Sequence, residues 1–372
     1  MKYRFLIPGL LFGGGPRNVY TLCGSLRKKG FDAQVLALIE LTKIPRKLGG
    51  YSSQPHLNGA KAKFLPKPLG LINQVANTAA NINKLLIAPQ LLTGAASVAA
   101  TAESACYIAT AWQTAYVAQT LAELQNRPNM YYAQAYESTF SKAKVYQYFA
   151  SKSYTFPLVK FTQSAWLKKF LEQHYGGTTY YLGMGINHDV FRPSKDEEQK
   201  RNIVTIARRD ANKGFKVFLD AITELRKKRT DFKVVIIGEK EALGIQRISF
   251  PFEFAGWINQ DEELARHYQG SIFVNTGIHE ALPMPPIEAM ACGATLVMTN
   301  MAGAMEYTRE EENCLLAPIG NAKKIAERLD EVLSSESLRE RLWKNAISTA
   351  NRYTWTSVVN KFKDMVRQEE IE

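Results

Sequence analysis

The sequence has little that would staple a small fold or bind a metal. Its 372 residues hold four cysteines, at 23, 106, 292 and 314, with no C-x-x-C spacing. That excludes a zinc ribbon and a disulfide framework, and reduced thiols point to a cytoplasmic compartment. Histidine is nearly as scarce, at five, and no H-x-x-x-H or Asp-x-Asp arrangement argues for a metal. Clean apolar runs of membrane-spanning length are lacking. The nearest, Leu85 to Ala111, is broken by Pro89, Gln90, Thr93, Gly94, Ser97, Thr101, Glu103 and Ser104. It reads as helices and a strand of a soluble domain. No signal peptide is read ahead of Lys2-Tyr3-Arg4, and no solenoid repeat appears.

Acidic residues are short in the first half. Residues 1–195 carry 22 Lys+Arg against 7 Asp+Glu, a balance of +15, and the remainder balances at −3. From 41 to 102 there is no acid, while Lys43, Arg46, Lys47, Lys61, Lys63, Lys67 and Lys84 lie there. Such a half suits an anionic membrane surface, a nucleic acid or a charged substrate, with a solvated basic surface as the plain alternative. The chain is otherwise an ordinary globular one, 46% hydrophobic and 22% charged, and long enough for two domains with sizeable cores.

Both halves alternate short β-branched runs with amphipathic helical runs, which predicts parallel sheets. In the first half, Tyr3–Ile7 is read as a strand, 9–16 as a loop and 17–29 as a helix. Strands follow at 33–38, 105–110, 130–133 and 158–161, then a helix from Ala165 to the Gly176-Gly177 stop. In the second half, strands are read at 202–207, 233–237, 252–255, 271–275 and 295–299. Helices are read at 215–228, 262–269 and 286–292, and mostly helix after Ala322. A linker is placed near Asp189–Glu198.

Three motifs carry chemistry. Gly13-Gly14-Gly15-Pro16 follows the first strand and opens a helix, where glycines admit a ligand to the backbone and a helix N-terminus favours an anion. It lacks the third glycine of a dinucleotide fingerprint, since Asn18 stands there. Arg208 and Lys213 flank the loop after strand 202–207, the end of an open sheet where ligands bind, and their pairing suits a diphosphate. Glu280 and Glu288 stand eight positions apart with three prolines between them, so they cannot share one continuous helix. Both can face one crevice and accept hydrogen bonds from sugar or ribose hydroxyls.

The two glutamates, with Ala289-Met290-Ala291-Cys292-Gly293 after the second, resemble the signature of retaining glycosyltransferases of family four, which have the GT-B fold. The likeness extends to Gly183-Met184-Gly185-Ile186-Asn187-His188-Asp189-Val190-Phe191, to Arg208 and Lys213-Gly214, and to Gly238. It continues through Phe254-Ala255-Gly256-Trp257, Ala302-Gly303-Ala304-Met305-Glu306 and Tyr353-Thr354-Trp355. In the first half it rests mainly on the Gly13–Gly15 loop. The resemblance implies that Glu288 holds the nucleotide ribose and Glu280 meets the donor sugar. Arg208 and Lys213 would neutralise the leaving diphosphate, Gly256, Trp257 and Ile258 would meet the base, and backbone N–H groups of Leu282 and Met284 would reach sugar or phosphate. Ala281 and Pro283 complete that loop, and Gly14 and Gly15 face the donor. It implies a metal-independent reaction with no cofactor beyond the nucleotide-diphosphate sugar.

Two positions depart from the family pattern. Pro283 stands where glycine is usual, and proline donates no backbone hydrogen bond. The mid-domain histidine of many relatives is missing from Ile108-Ala109-Thr110-Ala111-Trp112-Gln113-Thr114-Ala115-Tyr116, so Thr110, Trp112 or Gln113 would line that place. That string, with Tyr132-Ala133-Gln134-Ala135-Tyr136-Glu137, is similar to a branch that includes bacterial rhamnosyltransferases; core packing is the plain alternative for Trp112 and Tyr136.

The expected fold is α/β, of GT-B type. An acceptor-side Rossmann-like domain spans 1–190 and a nucleotide-sugar-binding one 191–355, facing across a cleft, with a helix at 356–372 returning to the first. The expected activity is hexosyl or deoxyhexosyl transfer to a glycan, lipid-linked or other glycoconjugate acceptor, without nucleic acid. The location is cytoplasmic, with peripheral contact at the inner, anionic face of the membrane. The alternatives are a non-catalytic partner subunit of the same fold and a sugar-nucleotide epimerase or phosphorylase.

Overall fold

The computed structural model describes residues 1–9, 14–39, 62–64, 104–194, 201–244 and 248–371. The chain divides into two units: Met1–Met184 with Trp355–Glu372, and Gly185–Thr354.

The first unit is built on β1 (Lys2–Gly9), β2 (Asp32–Ile39), β3 (Ala62–Phe64), β4 (Cys106–Ala109), β5 (Met130–Ala133), β6 (Val159–Thr162) and β7 (Thr179–Tyr181). They form one parallel sheet in the order β3-β2-β1-β4-β5-β6-β7. Helices Gly14–Lys28, Trp112–Gln125, Lys144–Ser153 and Ala165–Tyr175 lie between the strands in sequence. β4 and β5 are buried at every position, as expected of strands covered on both faces. The C-terminal helix Trp355–Gln368 packs into this unit's core, where Val358, Phe362 and Met365 join Tyr3, Phe5 and Val19. The Tyr3 hydroxyl donates to the Ile371 carbonyl at 3.0 Å, which ties the two ends of the chain together.

The second unit holds β8 (Asn202–Ala207), β9 (Lys233–Gly238), β10 (Glu253–Gly256), β11 (Ile272–Asn275), β12 (Thr295–Thr299) and β13 (Leu315–Ala317). Its parallel sheet runs β10-β9-β8-β11-β12-β13. Helix Phe215–Arg226 shows why sequence pattern suffices here. Phe215, Phe218, Leu219, Ile222 and Leu225 recur at three- and four-residue steps, and all are buried. Ser335 caps the helix that follows it by accepting from the Leu338 N–H at 3.2 Å.

The first helix begins at Gly14, earlier than the 17–29 reading, so Gly14 and Gly15 lie in its first turn. Gly13, most of 41–102 with its basic cluster, and 195–198 of the linker reading lie outside the described residues. Among the described residues no helix is long and apolar enough to cross a membrane.

Candidate functional site

The strand order of the second unit locates a crevice. β8 pairs with β11, and the chain leaves this pair towards β9 on one side and β12 on the other. The carboxyl ends of the strands at such a reversal are where open α/β sheets take ligands. Arg208 and Lys213 follow β8, and Glu280 follows β11.

Lys213 and Glu280 meet there. The Lys213 ammonium lies 2.5 Å from Glu280 Oε2, with the carboxylate side chain only 12% exposed and the lysine 36%. Lys213 ends a short 3-10 turn, Ala211–Lys213, opened by Asp210, whose carboxylate accepts from the Asn212 N–H at 2.9 Å. Gly214 follows at φ +66°, and a Cβ there would come 1.8 Å from the Thr276 carbonyl oxygen. That approach is used: the Thr276 hydroxyl donates to the Gly214 carbonyl at 2.9 Å, and the Ile278 N–H to the Asn212 carbonyl at 2.7 Å. The loops after β8 and β11 are thus stitched together, which fixes the cation against the acid. Glu280 is braced from its other side, since a Cβ on Gly277 would meet Glu280 Oε1 at 2.7 Å.

Arg208 takes a different acid. Its guanidinium lies 3.3 Å from Glu239 Oε1 and stacks over the Trp257 ring at 3.9 Å. Glu239 also accepts the Arg209 N–H at 2.8 Å, and its own N–H donates to the Ala207 carbonyl at 3.0 Å. The Trp257 indole N–H donates to Asn259 Oδ1 at 2.6 Å. Gly256 closes β10 and leads into Trp257 and Ile258, both half-buried. Glu239 was not singled out in the sequence; its place directly after Gly238 at a strand end was the available signal.

Ala281, Leu282 and Pro283 are buried and lead into the helix Met284–Ala291. Pro283 is its N-cap, with Pro285 and Pro286 in the first turn. Of the N-cap and first three helical residues, Met284 alone carries an N–H, so this terminus offers one free donor where four are usual. The Pro283 carbonyl accepts from the Tyr307 hydroxyl at 3.2 Å. Burial, with Glu280 nearby, holds that phenol well above its ordinary range, so it is a fixed donor. Glu288 is the fifth residue of the helix, in its second turn and 3% exposed. His279 is exposed beside Glu280, and His188 hydrogen-bonds through Nε2 to the Tyr353 carbonyl at 3.1 Å.

The first unit has its own reversal, at β1 and β4. Gly15 lies near the Gln134 amide, which donates to the Thr110 carbonyl at 3.4 Å. The Thr110 hydroxyl is turned to the Leu6 carbonyl at 2.8 Å. Gln113 Oε1 and Gln134 Oε1 are buried with no partner among the described residues. Trp112 starts its helix and packs edge-on to Tyr146 at 5.2 Å. Its backbone N–H donates to both oxygens of Glu137, at 3.1 and 3.2 Å. Glu137 is buried, also accepts from the Tyr131 hydroxyl at 3.0 Å, and is pushed up to about 7 by that burial. Tyr136 packs on Phe170 at 4.6 Å and bonds Tyr175 at 2.8 Å. Among the described residues no cluster of three His, Cys, Asp or Glu is placed to hold a metal.

Residues 187–349 match the family model described as glycosyl transferases group 1. This covers most of the second unit and supports the glycosyltransferase family for the chain. Among curated relatives, the Campylobacter jejuni N,N'-diacetylbacillosaminyl-diphospho-undecaprenol alpha-1,3-N-acetylgalactosaminyltransferase is 28% identical over 178 residues, 47% of this chain and 46% of that protein. The chain spans about half the length of the curated relatives it matches first. Among solved structures, Anabaena HepE in complex with UDP and glucose aligns at TM-score 0.76 and 14% identity, over 99% of this chain and all of that one. Sucrose-phosphate synthase of Thermosynechococcus elongatus aligns at 0.80 and 16%, over the full length of both. At these identities the likeness shows the fold, an α/β fold of two Rossmann-like domains of the GT-B type.

Proposed function

We propose that this chain, with its glycosyl transferases group 1 match over 187–349, moves a sugar from a nucleotide-diphosphate donor held by the second unit. The observation that carries the reading is the Lys213–Glu280 pair at the carboxyl ends of β8 and β11, with Arg208, held on Glu239 and Trp257, directly after the same strand β8. A diphosphate leaving group needs cations where charge develops, and preorganised ones lower the barrier by several kcal/mol. Arg208 and Lys213 supply them. Glu280 holds Lys213 in place and is set against the donor sugar, Glu288 takes the ribose, and Gly256, Trp257 and Ile258 face the base. The helix terminus at Pro283 is short of donors, so the N–H groups of Leu282 and Met284 carry the backbone contacts and the two side-chain cations carry most of the charge. Gly14, Gly15, Gln113 and Gln134 line the first unit's reversal and meet sugar hydroxyls.

The transfer is retaining. The sugar's C1–O bond to the diphosphate breaks, an acceptor hydroxyl oxygen bonds to C1 on the same face, and its proton passes to the leaving phosphate oxygen. The acceptor is a glycan or a lipid-linked glycoconjugate. The relative that acts on a diphospho-undecaprenol carrier favours the second, with the protein working peripherally at the inner face of the membrane. A panel of nucleotide-sugars tested by thermal shift, then by donor hydrolysis with the product anomer followed by NMR, tests this reading. Stabilisation by one donor class and release of sugar with the donor's anomeric configuration is the expected result. Stabilisation without turnover in the presence of glycan and lipid-linked acceptors would make the chain a non-catalytic partner, and isomerised free sugar nucleotide would make it an epimerase.

A further inference from the structure

In the first unit an amphipathic helix turns an apolar stripe outward. Helix Lys144–Ser153 buries Ala150 and Ser153 and half-buries Tyr146, whose ring meets Trp112. On the other side Val145, Tyr148 and Phe149, at helical steps of three and four, are 48%, 64% and 40% exposed. Phe140, just before the helix, adds another ring at 56%. The stripe is not the product of a loose helix. The Tyr116 hydroxyl donates to the Phe149 carbonyl at 3.1 Å, Ser138 and Ser151 share a hydrogen bond of 2.8 Å, and the Gln147 amide donates to the Ser141 carbonyl at 3.0 Å. A fixed, outward apolar stripe of this kind marks an interaction surface.

Charge decides what covers it. Between Glu137 and Glu172 the sequence has no acidic residue. Lys142, Lys144 and Lys152 are exposed around the stripe, and none pairs with an acid among the described residues. A second copy laid on the same patch would oppose these lysines with their own kind. An anionic bilayer accepts both features, taking the rings to the acyl boundary and the lysines to the headgroups. The stripe also starts near the carboxyl end of β5, through residues 134–140, on the ligand-binding rim of the sheet.

We propose that Phe140, Val145, Tyr148 and Phe149, ringed by Lys142, Lys144 and Lys152, form an interfacial patch that docks the protein on an anionic membrane. The patch residues fall outside the stretch 41–102 in sequence and include no donor-site residue. The test is co-sedimentation of the full chain with vesicles of phosphatidylcholine alone and of phosphatidylcholine with equal phosphatidylglycerol. The wild type partitions to the anionic vesicles, and V145S/Y148S lowers that partition about tenfold, as does K144Q/K152Q. Nucleoside diphosphate binding and Tm stay as in the wild type, so loss of the fold is told apart from loss of docking. In Y148W the added indole emission shifts to the blue only when anionic vesicles are present. Absence of wild-type binding, unchanged binding of both double variants, or a blue shift that follows protein concentration without vesicles would overturn the proposal, the last by assigning the patch to a second copy. None of these readouts needs transfer, so the patch and the proposed activity stand or fall separately.

Discussion

Lys213 and Glu280, 67 positions apart in sequence, form an ion pair of 2.5 Å because β8 and β11 are neighbours in the sheet. The pair sets a cation and a carboxylate side by side where a leaving diphosphate and a reacting sugar would lie. Glu280 is part-exposed at the crevice, whereas Glu288 is buried one turn into the next helix. Their substitutions should therefore separate. Glu280→Gln releases Lys213 and should lower kcat about a hundredfold with little change in donor KM. Glu288→Gln should raise donor KM about tenfold with kcat largely kept, as for a contact made equally in ground and transition states. Steady-state kinetics with varied donor reads both, and the reverse split would exchange the two roles.

Arg208 has no such direct tie to Glu280. It is held between the Glu239 carboxylate and the Trp257 ring. Trp257→Ala removes the stacking face and should weaken nucleoside diphosphate binding about fivefold or more, while Trp257→Phe keeps most of it. Nucleoside binding, which needs no cation, should change less than diphosphate binding. Equal losses for both ligands would assign Trp257 to the base alone.

Gly214→Ala should be costly. The position combines φ +66° with a carbonyl oxygen 1.8 Å from the missing Cβ, so the loops after β8 and β11 must separate. A loss of about 3 kcal/mol or more is expected, seen as a lower Tm and a loss of diphosphate binding. A variant with unchanged Tm would mean the two loops are not tightly stitched.

Glu137 gives the first unit a pH dependence. Burial pushes its carboxyl up to about 7 from an ordinary 4.5, against the partial offset of the Trp112 and Tyr131 donors. Between those values the folded protein holds a proton that the unfolded chain has released. Stability should therefore fall as pH rises from about 4.5 to about 7, by up to about 3 kcal/mol, and level off above. Glu137→Gln should flatten this segment of the Tm-against-pH curve. A slope unchanged in the variant would place the titrating group elsewhere.

Much of the fold was legible because its signals are local. β8 and β12 fall where their β-branched runs placed them, and β5, Met-Tyr-Tyr-Ala between Asn129 and Gln134, where its aromatic run did. β7 and β13 escaped because three residues at a sheet edge, Thr179–Tyr181 and Leu315–Ala317, show no period. The first helix was read short because Gly14 and Gly15 are poor helix formers. At the candidate site the residue types were readable and the partnerships were not. Nothing in the spacing of Arg208 joins it to Glu239, 31 positions on, or to Trp257, since those contacts exist only once β9 and β10 lie beside β8. Glu137 likewise looked like one more residue of an aromatic string, and its capping of the Trp112 helix depends on β4 and β5 pairing.

On the proposed function, Arg208 and Lys213 hold the diphosphate of a sugar-nucleotide donor. Calorimetric titration of a panel of nucleoside mono- and diphosphates into the wild type and into R208A/K213A tests it most directly. One diphosphate should bind the wild type, its monophosphate at least tenfold more weakly, and the double variant should lose this preference while keeping its Tm. A double variant that still prefers the diphosphate to the same degree would contradict it.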